Sequence, residues 1–315
     1  MKKKMFLPAF MAVVALATVG VSRGTAQAPE TPGQRGGGGG GRGAGAPGGR
    51  GGAPDPVEKI RQIKPNLYLV TGAGANTLVR VTPEGLIVAD TKNPGDQIFN
   101  DLFAQIRSVS PLPVKYIFNT HHHPDHVGNN QKFVDMGATV IGLERLKALM
   151  TTDPRTKDIP GVATVTFAND YSLKFGGAQV DAHYYGSSHT GGDTVVYFVD
   201  SKVVMVSDTM PLPNATPGIN PSPNNGSAVQ VPKLLENILK LDFDTAIAGR
   251  GEPMTKADVQ AYKVKWDTFM GRARDAMKKG VAKEEFMANV KQDDLGWNFN
   301  AGFFNNLYDE LKANP

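Results

Sequence analysis

The sequence has no cysteine among its 315 residues. This absence excludes disulfide bonds, thiolate nucleophiles and cysteine metal ligands, so nitrogen and oxygen atoms must hold any bound metal. Most of the chain also lacks a strong net charge. Of the 34 basic and 30 acidic residues, seven and one lie within residues 1–54, which leaves 27 and 29 for residues 55–315. This balance gives no basic patch, so we expect a small-molecule substrate and no nucleic-acid partner.

Long apolar runs are confined to the N-terminus of the sequence. Three lysines after the first methionine precede an apolar segment over residues 5–21, and small residues follow it. This layout is typical of a secretory signal peptide over residues 1–26, with cleavage after Ala26 or Ala28. An uncleaved membrane anchor is the alternative. We therefore expect a periplasmic or secreted protein with no stable membrane span after signal removal.

Residues 27–54 consist mainly of glycine, proline and arginine. Such a segment has almost no apolar side chains, so nothing offsets the entropy that ordering it would cost. The composition predicts a disordered linker over residues 27–54 and a folded domain over residues 55–315.

Short apolar strands and amphipathic helices alternate along the folded domain. The predicted strands lie at residues 68–71, 76–81, 86–90, 114–118, 138–141, 179–183, 194–199, 202–206 and 245–248. The predicted helices lie at residues 96–108, 131–136, 231–240, 256–279, 283–291 and 301–312. Strands and helices occur in both halves of the folded domain, and this pattern indicates a layered α/β domain. Trp266 and Phe269, three residues apart on a predicted helix, are expected in its core.

Four of the six histidines lie close together, in the segment Thr-His-His-His-Pro-Asp-His that directly follows a predicted strand. Ligands in layered α/β folds bind at the carboxyl ends of strands, and imidazole and carboxylate groups are good zinc ligands. On an extended backbone, His121 and His123 point to the same side, whereas His122 points away. Asp125 and His126 follow a turn and can reach a neighbouring position. A purely structural polar loop is the alternative interpretation, but the spacing favours a metal site.

This segment resembles the second motif of the metallo-β-lactamase-fold hydrolases, and other blocks of that family appear in its order. Asp90, at the end of a strand, resembles the first acidic position. The block 186–193 resembles the third motif and supplies His189, while Val206-Ser-Asp208 resembles the fourth. The resemblance covers about residues 65–255 and implies a four-layer αββα sandwich, to which this chain adds C-terminal helices.

The resemblance also implies which residues hold metal. A first zinc site would use His121, His123 and His189. A second site would use Asp125, His126 and Asp208, with Asp208 shared between the two positions. One zinc ion is expected on this basis. His183, near His189 in sequence, is predicted to be a packed or exposed histidine rather than a ligand.

The fifth block of the family departs from its pattern here. The family has Gly-His-Gly, whereas residues 249–251 read Gly-Arg-Gly. Arginine stays charged and cannot coordinate a metal, which weakens the second site. Either water replaces the imidazole around a weakly held second ion, or the guanidinium of Arg250 pairs with Asp125 or Asp208. Arg250 as a ligand for a substrate carboxylate is a further alternative.

The resemblance implies hydrolysis by a zinc-bound hydroxide, because zinc lowers the pKa of bound water to about 7. Asp125 would orient this nucleophile or carry its proton. The expected substrate is an ester, thioester, lactone or β-lactam. The loop over residues 211–229 follows Asp208 and is predicted to line the mouth of the site. A metal-binding protein of the same fold with little or no catalysis is the alternative, since one ligand is missing.

Overall fold

The computed structural model describes residues 55–211 and 215–314, whose strands form two sheets. The first sheet contains, in spatial and chain order, β1 (Arg61–Lys64), β2 (Leu67–Val70), β3 (Thr77–Thr82), β4 (Gly85–Ala89), β5 (Val114–Phe118), β6 (Thr139–Leu143) and β7 (Val165–Phe167). The second contains β8 (Asp170–Phe175), β9 (Ala178–His183), β10 (Val195–Phe198), β11 (Val203–Ser207), β12 (Thr245–Ala248) and β13 (Met254–Thr255), also in chain order.

The helices of the described residues lie outside the two sheets or connect their strands. They are α1 (Asp96–Val109), α2 (Pro124–Val127), α3 (Asn130–Val134), α4 (Glu144–Thr152), α5 (Val231–Leu239), α6 (Lys256–Lys278), α7 (Phe286–Asn289) and α8 (Ala301–Ala313). The longest of them, α6, begins with a capping box in which the Thr255 and Asp258 side chains each accept a hydrogen bond from the other's backbone N–H. Such a cap satisfies amide groups that the first helical turn leaves unpaired.

The two sheets repeat one topological pattern, and this pattern positions the site. Antiparallel strands β1–β4 are followed by a crossover through α1 to β5, which pairs parallel with β4. Antiparallel strands β8–β11 are likewise followed by a crossover through α5 to β12, which pairs parallel with β11. Each sheet therefore presents the carboxyl ends of two parallel strands side by side, where ligands bind in such folds.

Three apolar clusters separate the four layers, because strand side chains alternate between the two faces of a sheet. In β10, Val196 and Phe198 pack in the cluster between the sheets, while Val195 and Tyr197 pack against the outer helices. A third cluster joins the outer face of the first sheet to α1 and α3. The αββα sandwich implied by the sequence resemblance is confirmed. Trp266 and Phe269 are fully buried in the outer cluster of the second sheet, as predicted.

Most predicted elements agree with the structure to within two residues, and strand β12 matches at both ends. The helix predicted over 283–291 is wrong in its first turn, because a 3-10 turn over Lys283–Glu285 precedes the short helix α7. The sequence prediction also missed β1, β7, β8, β13 and α4. These are short elements, mostly at the sheet edges, where few side chains are buried and hydrophobic periodicity is weak.

The predicted signal peptide and linker, over residues 1–26 and 27–54, lie outside the described residues. Within the described part of the chain, no helix is both long and apolar enough to cross a membrane.

We predict that Trp266→Ala will lower the free energy of unfolding by about 3–5 kcal/mol, the usual cost of removing a buried aromatic ring. Trp266 is fully buried, and its ring lies 5.0 Å from Trp297 and 5.9 Å from Phe269. Val264→Ala, on the same helix but 53% exposed, should change the value by less than about 0.5 kcal/mol. Urea unfolding would measure the free energy of unfolding of both variants. Equal effects would contradict the prediction that the buried face of α6 stabilises this core.

Candidate metal centre

The candidate centre lies where the carboxyl ends of the two parallel strand pairs meet. Asp90 follows β4 and Asp208 follows β11, whereas His121 and Arg250 come shortly after β5 and β12. The backbone has left-handed φ values at Asp90 (59°) and at Ser207 (50°), so the chain turns sharply at the ends of β4 and β11. Such strained residues are held in place by surrounding structure and concentrate at functional sites.

His121, His123 and His189 converge, although 66 positions separate the last two in sequence. Their ring nitrogens lie within 4.8 Å of one another, and His123 Nδ1 is 3.0 Å from His189 Nε2. Nitrogen ligands on a tetrahedral zinc are separated by about 3.3 Å, given Zn–N bonds of about 2.0–2.1 Å. Among the described residues, the buried Nε2 of His121 has no hydrogen-bond partner. The three donors fit one zinc ion.

Two of these imidazoles are held in the form that coordinates metal. Burial lowers the pKa of His121 well below its ordinary value, and the neighbouring histidines lower it further. Burial and the charge of His189 lower the pKa of His123 to about 2. Both rings are therefore neutral at physiological pH, and a neutral ring has a lone pair available for a metal.

Asp90 fixes the orientation of His126 from behind. Its Oδ2 lies 2.7 Å from His126 Nδ1, and the carboxylate also accepts hydrogen bonds from the Thr120 amide and hydroxyl at 2.9 and 2.6 Å. The Nε2 atom of His126 faces inward, 3.5 Å from Asp125 and 3.7 Å from Asp208, without a hydrogen-bond partner among the described residues. A carboxylate behind a ligand histidine is the usual support of metal sites.

Arg250 occupies the space between the two carboxylates of the second group. Its Nη1 lies 3.2 and 3.1 Å from the two carboxylate oxygens of Asp208, and its Nη2 donates to Asp125. The pairing that the sequence left open as one alternative is therefore present. A cation of fixed charge bridges the residues that would hold a second metal, and the imidazole that such a site needs is absent. These residues do not fit a second zinc ion.

The charges around Asp125 keep this carboxylate ionised. Burial alone would raise its pKa, but the charge and hydrogen bond of His126, together with Arg250, lower it below the ordinary value. The pKa of His126 shifts the opposite way: burial would lower it, but Asp125, Asp90 and Asp208 raise it well above the ordinary value. Asp125 is thus suited to accept a hydrogen bond from a water molecule or substrate and poorly suited to take up a proton.

A network that the sequence did not indicate lies behind His123. His122 is fully buried, and its Nε2 lies 3.1 Å from Asp153 and 2.7 Å from Asn224. Arg155 donates to Asp153 at 2.6 Å, to Asn224 at 2.8 Å, and lies 3.0 Å from His123 Nε2. His122 therefore points away from the three converging histidines, as predicted, and supports Asp153 and Asn224. Of the three residues that could form a second metal group, His122 is hydrogen-bonded to Asp153, and His123 Nε2 lies against Arg155.

His189 is held by the loop that was predicted to border the site. Its Nδ1 donates to the Gly218 carbonyl at 2.6 Å, which leaves Nε2 facing the other ligands, and its carbonyl accepts from the Asn220 amide at 2.9 Å. Within the His189 turn, Asp193 accepts hydrogen bonds from Ser188 and Thr190. His183, in contrast, pairs with Asp170 at 2.7 Å outside the cluster, as predicted for a histidine that is not a ligand.

Comparison with known proteins agrees with this arrangement. The profile of the Metallo-beta-lactamase superfamily matches residues 70–250. The chain is 28% identical over 162 residues to the "Metallo-beta-lactamase type 2" of Elizabethkingia meningoseptica, an alignment that covers 49% of this chain and 63% of that protein. The chain thus spans somewhat less than two thirds of that relative's length.

A second relative aligns over more of the chain. The "2,4-dinitroanisole O-demethylase subunit alpha" of Nocardioides sp. (strain JS1661) is 24% identical over 241 residues, which cover 76% of this chain and 71% of that protein. Among solved structures, a metallo-beta-lactamase from Pontibacter korlensis superposes with a TM-score of 0.59 at 20% identity, covering 67% of this chain and 99% of that one. At this identity, the superposition shows the fold alone.

We predict that the purified protein will retain about one zinc ion per chain, because three nitrogen donors converge in the first group and Arg250 bridges the second. Arg250→His should raise the content to about two ions by supplying the missing imidazole. Metal analysis after dialysis against zinc-free buffer would measure both. Two tightly held ions in the unsubstituted protein would contradict the role assigned to Arg250.

We predict that Gly249→Ala will destabilise the protein by about 1–3 kcal/mol, the typical cost of overpacking. A Cβ atom at Gly249 would lie 1.6 Å from Asp208 Oδ1, so the carboxylate would have to leave its place beside Arg250. Gly271→Ala is the matched control, because a Cβ atom there meets nothing within 4 Å and the residue lies inside α6. The control should be neutral or stabilising by about 0.5–1 kcal/mol. Urea unfolding would compare the two variants.

Proposed function

Because this chain belongs to the metallo-beta-lactamase superfamily, whose members are hydrolases, we propose that it is an exported zinc-dependent hydrolase with one metal ion. The observation that carries the proposal is the convergence of three histidine nitrogens at one buried point. The inward nitrogen of His121 has no other partner among the described residues, and burial keeps the imidazoles of His121 and His123 neutral. Such an arrangement costs free energy unless a cation is bound.

Zinc held by His121, His123 and His189 would polarise the substrate's acyl oxygen and activate the attacking water. The protein's own groups have separate roles. The ionised carboxylate of Asp125 accepts a hydrogen bond from the water and aligns it, while Arg250 holds that carboxylate in place. Asp208, which lies 3.6 Å from His189 Nε2, closes the site on the side of the second sheet. Arg250 also keeps a fixed positive charge between the carboxylates of Asp125 and Asp208.

The proposed substrates are esters, thioesters, lactones and β-lactams. These share an acyl carbon that a single activated water can attack. One of the two relatives is named as a β-lactamase and the other as an O-demethylase subunit. Membership of the superfamily therefore does not identify the substrate of this chain.

We also propose export to the periplasm or the exterior, which rests on the signal-peptide pattern of residues 1–26. Expression of the full chain should yield a protein that starts at Gln27 or Pro29 in the periplasmic or extracellular fraction. N-terminal sequencing of that fraction would check this, and an intact Met1 in the cytoplasmic fraction would contradict it.

We predict that hydrolysis will require both the metal and His123. Chelation should abolish activity, added zinc should restore it, and His123→Ala should lower kcat/KM by more than about 100-fold, since loss of a group that only orients a ligand already costs about 10–100-fold. His183→Ala removes an imidazole outside the site and should leave activity unchanged. The assay would use nitrocefin and representative thioester, lactone and phosphodiester substrates with each variant.

A metal-binding protein without turnover is the second candidate, and Arg250 favours it. A guanidinium in place of a second metal removes one source of stabilisation for the leaving group. If the zinc-loaded protein binds its ion tightly yet hydrolyses none of these substrates, the second candidate replaces the first. If it binds no zinc at all, both fail.

A further inference from the structure

A segment over residues 218–228, which we call the strap, wraps around the turn that carries His189. Three backbone–backbone hydrogen bonds and one hydrogen bond of the His189 side chain join the two segments. Besides the contacts of His189 with Gly218 and Asn220, the Ser227 amide donates to the Ser188 carbonyl at 3.0 Å, and the Gly191 amide donates to the Asn224 carbonyl at 2.7 Å. The orientation of the His189 ring is therefore set by the position of the strap.

The close packing of strap and turn leaves little room for relative movement. A Cβ atom at Gly226 would lie 2.6 Å from the His189 carbonyl oxygen and 2.8 Å from that of Ser188. A glycine is needed at such a close approach of two backbones. Any displacement of the strap at Gly226 would thus be transmitted directly to the backbone of His189.

The strap is in turn attached to α8, the last helix of the described residues. The carboxylate of Glu310 accepts hydrogen bonds from two groups of the strap, the Ser227 hydroxyl and, at 3.2 Å, the Ala228 amide. Ser227 is 5% exposed, so its hydroxyl is withdrawn from solvent and depends on this acceptor. Phe304, Leu307 and Leu311 anchor α8 in the outer apolar cluster, which fixes the Glu310 side chain.

Glu310 has no other electrostatic role that would explain its place. Within residues 55–211 and 215–314, no basic side chain comes within ion-pair distance of its carboxylate, whereas the adjacent Asp309 pairs with Lys283. The carboxylate instead faces the strap. Helix α8 also lies beyond residues 70–250, the part of the chain that the superfamily profile matches.

We propose that Glu310 is a positioning residue for the zinc ligand His189, acting through Ser227 and the strap. This inference rests on the proposed zinc site, and it assigns part of the C-terminal helical extension to the metal centre. Glu310 touches neither the metal nor the substrate. It holds the strap so that the Gly218 carbonyl keeps the proton of His189 on Nδ1 and leaves Nε2 free to coordinate.

The test is zinc affinity of the full mature chain, measured by competition with a chromophoric chelator and independent of turnover. Glu310→Ala should weaken zinc binding about 10-fold, the low end of the effect of groups that orient a ligand indirectly. Glu310→Gln keeps one acceptor oxygen and should fall between the unsubstituted protein and Glu310→Ala. Asp309→Asn is the matched control: it removes one carboxylate from the same helix turn and an exposed ion pair of small energetic value, so it should not change zinc affinity.

Two further measurements separate positioning from general loss of structure. The visible spectrum of the cobalt(II)-substituted protein should change in Glu310→Ala and not in Asp309→Asn, since it reports ligand geometry. Ser227→Ala should weaken zinc binding less than Glu310→Ala, because the Ala228 contact persists. The double variant Ser227→Ala/Glu310→Ala should resemble Glu310→Ala, since both residues act in one chain of contacts.

Unchanged zinc affinity and an unchanged cobalt spectrum in a folded Glu310→Ala protein would overturn the inference. An equal loss in Asp309→Asn would also overturn it, because the effect would then belong to α8 as a whole. Thermal unfolding of each apo variant establishes that the protein is folded at the assay temperature. If the unsubstituted protein fails to bind zinc, the proposed function fails, which is a different outcome from a failure confined to Glu310.

Discussion

Imidazole nitrogens that face one another in a buried space need a shared partner. In this protein the inward Nε2 atom of His121 is buried without a hydrogen bond among the described residues, and such a group costs about 1–3 kcal/mol. The three apolar clusters hold the strand ends that carry these rings, so the rings cannot separate to reach water. A cation shared by the nitrogens of His121, His123 and His189 would remove this penalty. The packing of the sandwich therefore stores free energy at the centre that the binding of the proposed metal would release.

The same centre contains a balance of charges that Arg250 alters permanently. Asp90, Asp125 and Asp208 surround His126, whose raised pKa reflects the need for positive charge among three carboxylates. A second divalent ion would supply that charge reversibly, whereas the guanidinium supplies it at all times and in fixed geometry. Arg250 thus stabilises the site without metal but takes the position from which a second ion would act on a substrate.

The sequence predicted the parts of the fold and site that depend on local pattern. The histidine cluster occupies six consecutive positions shortly after a strand, so this local pattern and the later motifs were sufficient to predict the candidate ligands. Asp153, Arg155 and Asn224 could not be predicted, because they reach His122 and His123 through loops whose course is set by tertiary packing. Edge strands such as β1 and β7 were missed for a related reason: few of their side chains are buried, so hydrophobic alternation is weak.

The residues around the site come from different parts of the chain than the motifs do. The motifs therefore indicate the reaction chemistry but do not identify the substrate. The ligands come from strand ends, whose positions the two sheets define. The walls around them come from the loop that carries Arg155 and from the segment after Asp208, and neither belongs to a metal-binding motif. That second wall also carries the contacts of His189 and is fastened to α8, beyond the family match. A change in this wall that alters substrate preference must therefore also preserve the orientation of a metal ligand. Because this wall and His189 share one set of hydrogen bonds, substrate range and metal affinity would be physically coupled at the proposed zinc site.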